Sequence, residues 1–339
     1  MYQAAWAKAD ATRIPLPDRS VDLVFGSPPY CDARLYGKLG IKLDPFEWVE
    51  WMLRVTAEAL RVSKGAVIWV CAGKTKARNY WPACEGLAWE WWKRGGEFLK
   101  PEDCGRHRKR PVGSMYRPCY WHRHGISGSG SDQWFRADVE YVLCFKRPGK
   151  LPYADNTANG HPPRWAPGGA MSHRLSDGTR RNQWGSSTNG KSQKSRTKDG
   201  TLVGGGRPSH VVKTKKVITR WREGMKNQDQ DYSPPVLANP GNLIRDIPVG
   251  GGLMGHKLAH DNEAPYPEKL VLWWLKTLCP EGGIVCDPFS GSGTTVSVAA
   301  RAGRRGIGFD LRQDQCLLGR RRYAAQATMF DGMNEGDAP

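Results

Sequence analysis

Two short segments carry residue types that could do chemistry. In the last quarter of the chain, Asp287-Pro288-Phe289-Ser290-Gly291-Ser292-Gly293-Thr294-Thr295 lies between a strand pattern and a helix pattern. Gly291 and Gly293 let the backbone approach a ligand closely, and the helix beyond them opens with free N–H groups. Asp310 closes the next strand pattern about 20 residues on, where a carboxylate can accept both hydroxyls of a ribose. A phosphate-gripping GxxxxGK[ST] loop is excluded because no lysine follows Gly293, and Val296 stands where a dinucleotide fingerprint needs its third glycine. A nucleoside without a pyrophosphate remains as the expected ligand.

The second segment is Ser27-Pro28-Pro29-Tyr30, which follows the apolar run Val21-Asp22-Leu23-Val24-Phe25. It sits at the carboxyl end of a predicted strand, where open α/β sheets bind their ligands. Two prolines fix the backbone, so the Ser27 hydroxyl and the Pro28 carbonyl present stationary acceptors, while Tyr30 offers a ring face to a planar group. By itself the segment also reads as a Pro-Pro turn with a structural tyrosine; the glycine loop argues for the chemical reading.

Other constellations are weaker. Cys104-x2-His107 and Cys119-x2-His122, with His124 beyond, could hold a tetrahedral zinc. The same stretch contains Arg106, Arg108, Lys109 and Arg110, the composition of a phosphate-contacting loop, and that reading is preferred, with no metal expected. Trp81, Trp89, Trp91 and Trp92 read as helix packing rather than a base-stacking platform, whereas Trp121-His122-Arg123 fits either role.

The elements that must position these residues alternate. Asp44-Pro45-Phe46-Glu47 has the form of a helix start, with an N-cap, a proline in the first turn and a glutamate at N3. Phe46, Val49, Leu53, Ala57 and Leu60 follow at helical spacing to about Val62, and Ala66–Cys71 reads as the next strand. A further strand is expected at Val139–Phe145. Pro265 onward gives a helix at Leu270–Leu278, a strand at Gly283–Asp287, a helix at Thr294–Ala302, a strand at Gly306–Asp310 and a helix from Leu311 to about Thr328. Strands alternating with helices imply a largely parallel sheet covered on its faces.

The chain has 339 residues and a formal charge of +18, unevenly placed. Residues 1–154 carry 25 basic and 16 acidic side chains, residues 155–232 carry 15 and 6, and residues 233–339 carry 11 of each. A polyanion-facing front on a neutral back follows, with nucleic acid as the leading partner. Residues 155 to about 235 are rich in Gly, Ser, Asn, Pro, Lys and Arg and poor in aliphatics, which fits either a linker or a basic loop region ordered by nucleic acid. Trp165, Trp184 and Trp221 within it favour the second. No apolar run is long enough for a membrane span, no signal-peptide layout opens the chain, and nine cysteines without a CxxC pair suit a reducing compartment. Together these lead to the expectation of a cytoplasmic chain without a membrane partner.

SPPY after a VDLVF strand, together with DPFSGSGTT, resembles motifs IV and I of the amino-group DNA methyltransferases, which use S-adenosyl-L-methionine. The glycine loop lies far downstream of SPPY with a basic region between, which is similar to the permuted β-class order. Ala264-Pro265-Tyr266-Pro267-Glu268-Lys269-Leu270 is similar to the family's motif X, and Asp10 to its motif III acid. The resemblance covers about residues 1–75, 136–150 and 255–325. It implies an α/β, Rossmann-like methyltransferase fold with circularly permuted motif order, a mostly parallel sheet flanked by helices, plus an inserted basic target-recognition region. Residues 1–154 would form the catalytic half with a basic loop at 104–136, residues 155–250 the recognition insertion, residues 251–330 the cofactor half and residues 331–339 a tail.

The same resemblance implies roles. Ser27 and the Pro28 carbonyl would accept from the exocyclic amine of a flipped-out base, with Pro29 fixing the turn and Tyr30 stacking on the ring. Asp287, Pro288, Phe289, Gly291 and Gly293 would line the methionine end of the cofactor, and Ser292 or Thr294 its carboxylate. Asp310 would take the ribose, Asp10 the adenine amine, and Tyr266 with Lys269 the motif X side. Methyl transfer would be a direct displacement without a covalent enzyme intermediate, and Pro118-Cys119 lacks the surroundings of the Pro-Cys nucleophile used by cytosine-C5 enzymes. A serine at the head of the tetrapeptide points to N4 of cytosine, with N6 of adenine, an RNA methyltransferase or a catalytically silent DNA-binding module as alternatives. Implied partners are double-stranded DNA, with a cognate restriction endonuclease and a second copy of the chain as candidates.

Overall fold

The computed structural model describes residues 3–31, 43–108, 110–123, 135–162, 195–196, 202–203, 237–249, 257–261 and 265–330. In chain order the first elements are β1 (Ala4–Lys8), β2 (Val21–Gly26), α1 (Pro45–Val62) and β3 (Ser63–Cys71). A hairpin of β4 (Lys74–Lys76) and β5 (Asn79–Trp81), helix α2 (Ala83–Phe98) and a second hairpin of β6 (Gly105–His107) and β7 (Arg110–Val112) follow. Next come β8 (Ser114–Met115), β9 (Cys119–His122), β10 (Val139–Lys146), β11 (Ser195–Arg196), β12 (Leu202–Val203) and β13 (Leu243–Ile244). The C-terminal elements are α3 (Glu268–Leu278), β14 (Ile284–Asp287), α4 (Thr294–Arg301), β15 (Arg305–Asp310) and α5 (Gln313–Phe330).

Two units divide the chain: residues 1–159 with 240–339, and residues 160–239. In the second, β11 pairs antiparallel with β12 and His161 bridges Ala238. Most of the basic 155–250 region, Trp165, Trp184 and Trp221, the residues 124–134 of the basic loop, and the tail lie outside the described residues.

The first unit is built on one mixed sheet in the order β1-β15-β14-β2-β3-β10-β9-β13, with β8 also beside β10. From β1 to β3 every neighbour is parallel; β10 turns antiparallel to β3, and β9 to β10. The crossover β2–α1–β3 steps one way along the sheet and β14–α4–β15 steps the other. Strand order therefore reverses between β14 and β2, the position at which open α/β sheets form a ligand crevice.

Strand periodicity assigns each face its helices. Val67, Trp69 and Cys71 of β3 with Leu143 and Phe145 of β10 join Trp48, Met52, Leu53 and Leu60 of α1 and Leu87 and Trp91 of α2 in one core. The alternate residues Ala66, Ile68, Val70, Val142 and Cys144 join Leu270, Trp274 and Leu275 of α3 and Val298 of α4 in the other. Truncating any of these buried leucines to alanine costs about 2–5 kcal/mol. The expected start of α1 is present in full: Asp44 Oδ1 accepts from the N–H groups of Phe46 and Glu47, each at 2.8 Å, and Glu47 Oε2 accepts from Asp44 N at 3.0 Å.

Candidate active site

Both chemistry-bearing segments leave the carboxyl ends of adjacent parallel strands, with Cys286 of β14 paired to Val24 of β2. The Asp287 side chain lies against the backbone of β2 there: a Cβ on Gly26 would stand 2.7 Å from Asp287 Oδ1. Glycine at position 26 is a space requirement set by the neighbouring carboxylate.

Asp287 is fully buried and works inside its own loop. Oδ1 accepts from Phe289 N at 2.9 Å and Oδ2 from the Tyr266 hydroxyl at 2.9 Å, while that hydroxyl also meets Thr295 Oγ1 at 2.5 Å. Burial pushes the Asp287 carboxyl up to about 6; its hydrogen bonds oppose the shift, and the charge of Asp310 adds to it. Tyr266, edge-on to Phe25 of β2, thus ties the approach to α3 to both strands. Pro288 is buried, and Phe289 packs edge-on against Trp51 and Trp69.

The loop then tightens through Gly291 (φ 47°) and Gly293 (φ 78°), conformations that only glycine adopts without strain. Gly293 caps α4, and its Cα faces the Trp6 indole so closely that a Cβ would come within 2.9 Å of Nε1. The side chains of Ser292 and Thr294 are engaged within the fold. Both side chains are buried and meet the fully buried Arg322 of α5, with Nη1 donating to Thr294 Oγ1 at 2.7 Å and lying 3.4 Å from Ser292 Oγ. Arg322 Nη2 donates to Glu268 Oε1 at 2.6 Å, and Glu268 also pairs with Arg301. These hydroxyls tie the loop to α5 through Arg322. Lys269, one residue on from Glu268, is exposed and has no hydrogen bond or ion pair among the described residues.

Asp310 stands at the end of β15. Its Oδ2 accepts from Gly291 N at 3.1 Å and its Oδ1 from Arg312 N at 2.9 Å, and burial raises its carboxyl above the ordinary value. Asp10 lies just past β1, where Ala9 N donates to the Asp310 carbonyl at 3.1 Å. Its own side chain is exposed and caps a local turn through Thr12 N and Thr12 Oγ1, both at 2.8 Å.

On the other side of the crevice, Trp48 Nε1 of α1 donates to the Pro29 carbonyl at 2.6 Å, while the Pro28 carbonyl has no partner among the described residues. Tyr30 bonds to the Ser27 hydroxyl and donates its own hydroxyl to Glu140 Oε2 of β10 at 3.0 Å. Glu140 Oε1 accepts from Arg123 Nη1 at 2.6 Å. Burial, with the Glu140 charge second, pushes the Tyr30 phenol well above its usual value, so it remains a neutral donor. The sequence puts Ser27 and Tyr30 together but not Glu140, which arrives by strand pairing 110 residues beyond Tyr30, nor its partner Arg123. The available signal was a lone acid in an otherwise apolar strand, Val139-Glu140-Tyr141-Val142-Leu143.

Comparison with known proteins places this arrangement. The profile of the N6_N4_Mtase family, described as DNA methylase, matches residues 21–320. The chain belongs to the N6/N4 DNA methylase family. It is similar to the orphan methyltransferase M.BamHII of Bacillus amyloliquefaciens, 25% identical over 315 residues that cover 90% of this chain and 89% of the relative. A shorter match to the DNA adenine methyltransferase YhdJ of Escherichia coli K12 is 35% identical and covers 29% of this chain and 31% of that one. Among solved structures the fold matches PvuII DNA methyltransferase (cytosine-N4-specific), with a TM-score of 0.52, 14% identity and coverage of 99% and 91%. It also matches a DNA modification methylase of Thermus thermophilus complexed with S-adenosyl-L-methionine, with a TM-score of 0.51, 19% identity and coverage of 95% and 94%.

N6/N4 DNA methylases use S-adenosyl-L-methionine, and the donor set here fits it. Asp287 and Asp310 are two sheltered carboxylates at adjacent strand ends, and Arg312 Nε lies 4.0 Å from Asp310 Oδ1. A ligand with a sulfonium, an ammonium and a ribose diol matches that negative field and the lone pairs left on Asp310.

No group of three or more His, Cys, Asp or Glu side chains is arranged to hold a metal ion among the described residues. Cys104 points its thiol at the Lys100 carbonyl, His107 stacks edge-on to Trp92, and Cys119 is on β9 opposite Val142. The Trp121 indole is buried and donates to the Ile247 carbonyl at 2.8 Å, a structural role. No described helix is long and apolar enough to cross a membrane.

Proposed function

We propose that this DNA methylase transfers a methyl group to the N4 amine of a cytosine flipped out of duplex DNA. The observation that carries the reading is the line Ser27–Tyr30–Glu140, beside a Pro28 carbonyl that has no partner among the described residues, at the switch point of the sheet. S-adenosyl-L-methionine supplies an electrophilic methyl on a sulfonium when bound. Asp310 and the backbone of the Gly291–Gly293 loop hold the nucleoside end, with Asp10 and Tyr266 at the flanks. The Pro28 carbonyl and Ser27 Oγ each accept one N–H of the target amine, drawing its lone pair out of conjugation with the ring. Ser27 can do this while its own proton points at the Tyr30 oxygen, because a hydroxyl is at once a donor and an acceptor. The Tyr30 ring offers its face to the base, and its hydroxyl bond to Glu140 fixes the ring angle, so the rate gain comes mainly from positioning.

Serine in first position favours N4 of cytosine. N6 of adenine is the second reading, supported by the similarity to a relative named as an adenine methyltransferase. Residues 155–250, carrying much of the excess positive charge, would recognise the target sequence, and a restriction endonuclease of matching specificity would be the counterpart enzyme. Modification-sensitive sequencing of DNA from cells expressing the chain tests the proposal. N4-methylcytosine at one recurring sequence is the expected result, N6-methyladenine would move the assignment to the second reading, and unmodified DNA would refute both.

A further inference from the structure

Trp89 and Trp92 of α2 do not pack inside the fold. Trp91 between them is buried against Phe145, as helix packing predicts, but Trp89 is 59% and Trp92 37% exposed, with their rings 5.4 Å apart. They form one wall of an open cleft of about 480 Å³ whose other wall is Tyr120 of β9 and Tyr141 of β10. Glu85 borders it and accepts hydroxyl hydrogen bonds from Tyr141 at 2.6 Å and Tyr80 at 3.1 Å. The methyl-transfer geometry described above uses none of these aromatic residues.

The cleft opens on the active edge of the sheet. Tyr141 pairs with both Tyr120 and Cys71, the last residue of β3, and Gly26 pairs with Trp69 of the same strand. Ser27 thus leaves the sheet two strands away, about 10 Å at ordinary strand spacing. The residues lining the cleft include no cation, but arginines stand on the elements next to it. The β6–β7 hairpin, held to Trp92 through His107, exposes Arg106, Arg108 and Arg110, and Arg117 is exposed beside Pro118 of the cleft. Arg108 holds a φ of 46°, a left-handed position where Gly or Asn is the unstrained choice.

We infer that this cleft binds an unpaired nucleobase of the DNA substrate, stacked on the Trp89–Trp92 pair while the arginines hold the adjoining phosphates. An exposed aromatic pair of this size marks a binding surface, and the cations select the occupant. A second copy of this chain docked symmetrically would bring the same arginines face to face, a like-charge cost that disfavours it. A single strand of nucleic acid satisfies both features, offering a π-face and a phosphate at each step. The inference rests on the DNA-methylating reading and adds to it a second base site that holds strand opened near the target.

The test is fluorescence anisotropy of labelled oligothymidylate of about 12 nucleotides, within the range one single-strand site occupies, added to the full chain. Trp89→Ala and Trp92→Ala should each weaken binding at least about fivefold and the double variant about 100-fold. An abasic oligonucleotide of equal charge should bind wild-type protein as weakly as oligothymidylate binds the double variant. Both tryptophans are exposed, so circular dichroism and cofactor affinity should stay at wild-type values. Equal oligothymidylate affinity in the double variant would overturn the inference, as would a dimer that the double variant breaks while its single-strand affinity is unchanged. If wild-type protein methylates DNA in that case, only the cleft assignment fails; absent methylation would sink the parent reading.

Discussion

Replacing Glu140 by alanine should slow methyl transfer while leaving cofactor binding alone. Glu140 is 5% exposed and accepts from Tyr30 at 3.0 Å and Arg123 at 2.6 Å. Its removal takes from the phenol a hydrogen bond to a charged acceptor, worth about 1.5–3 kcal/mol. If that bond holds the ring at its working angle, kcat falls about 10- to 100-fold. Arg123 loses its partner too, but its side chain is 27% exposed and can turn to water, so the stability loss should be about 1–3 kcal/mol rather than that of a sealed pair. Glu140→Gln keeps a neutral acceptor for Tyr30 and should recover most of the rate. Tyr30→Phe keeps the ring but discards this bond together with the one to Ser27, so it should be at least as slow as Glu140→Ala, and the double variant should be no slower than Tyr30→Phe. The assay is transfer of labelled methyl to duplex DNA at saturating substrates, with cofactor affinity measured by calorimetry. Additive losses in the double variant, or a kcat for Glu140→Ala within about twofold of wild type, would refute the reasoning.

Three further outcomes follow from the crevice. Gly26→Ala puts a methyl 2.7 Å from Asp287 Oδ1, so the two loops must part; stability should drop about 1–3 kcal/mol and activity should fall further than stability alone explains, measured by denaturant titration beside the transfer assay. Arg322→Met removes the brace behind Ser292 and Thr294 and leaves Glu268 with Arg301; a stability loss of about 3 kcal/mol, read as a lower Tm, and weaker cofactor binding are expected. Asp287 has its carboxyl raised to about 6, so the folded chain takes up this proton at a higher pH than the unfolded chain does. Its buried charge therefore costs most above pH 6, and the cost is relieved as pH falls through 6 towards 4. The stability difference between wild type and Asp287→Asn should shift by about 1–3 kcal/mol over that window in favour of wild type at the acid end; a difference independent of pH would show that Asp287 is not raised.

Local signals are legible because they are carried by neighbours in sequence. The capping box at Asp44 and Glu47, the β-branched run of β2 and the Gly291–Gly293 turn each need only a few consecutive residues. The pairing of β14 with β2 can be anticipated only through the family resemblance, since no periodicity encodes which strand neighbours which. Illegible are the partners that close the site from afar. Arg322 sits on a helix of weakly amphipathic pattern, and its contacts with Ser292 and Thr294 exist only once α5 is packed. The same holds for Glu140, whose meaning depends on β10 running antiparallel beside β3. Trp89 and Trp92 depart from the packing role expected of them because helical spacing alone does not say which stripe of α2 the β6–β7 hairpin leaves open.

The seam between β14 and β2 also dictates when the enzyme can exist. Ile284 N donates to Asp22 Oδ2 across 262 residues of chain, and Gly26 meets Asp287 in the same seam. Closing so long a loop comes late in folding, and on a ribosome the first half of the crevice waits until β14, α4 and β15 have emerged. Nascent or truncated chains would then be silent however well their N-terminal strands fold. Two separately made fragments, divided within residues 160–239, should acquire activity only when mixed, because each carries one lip of the crevice.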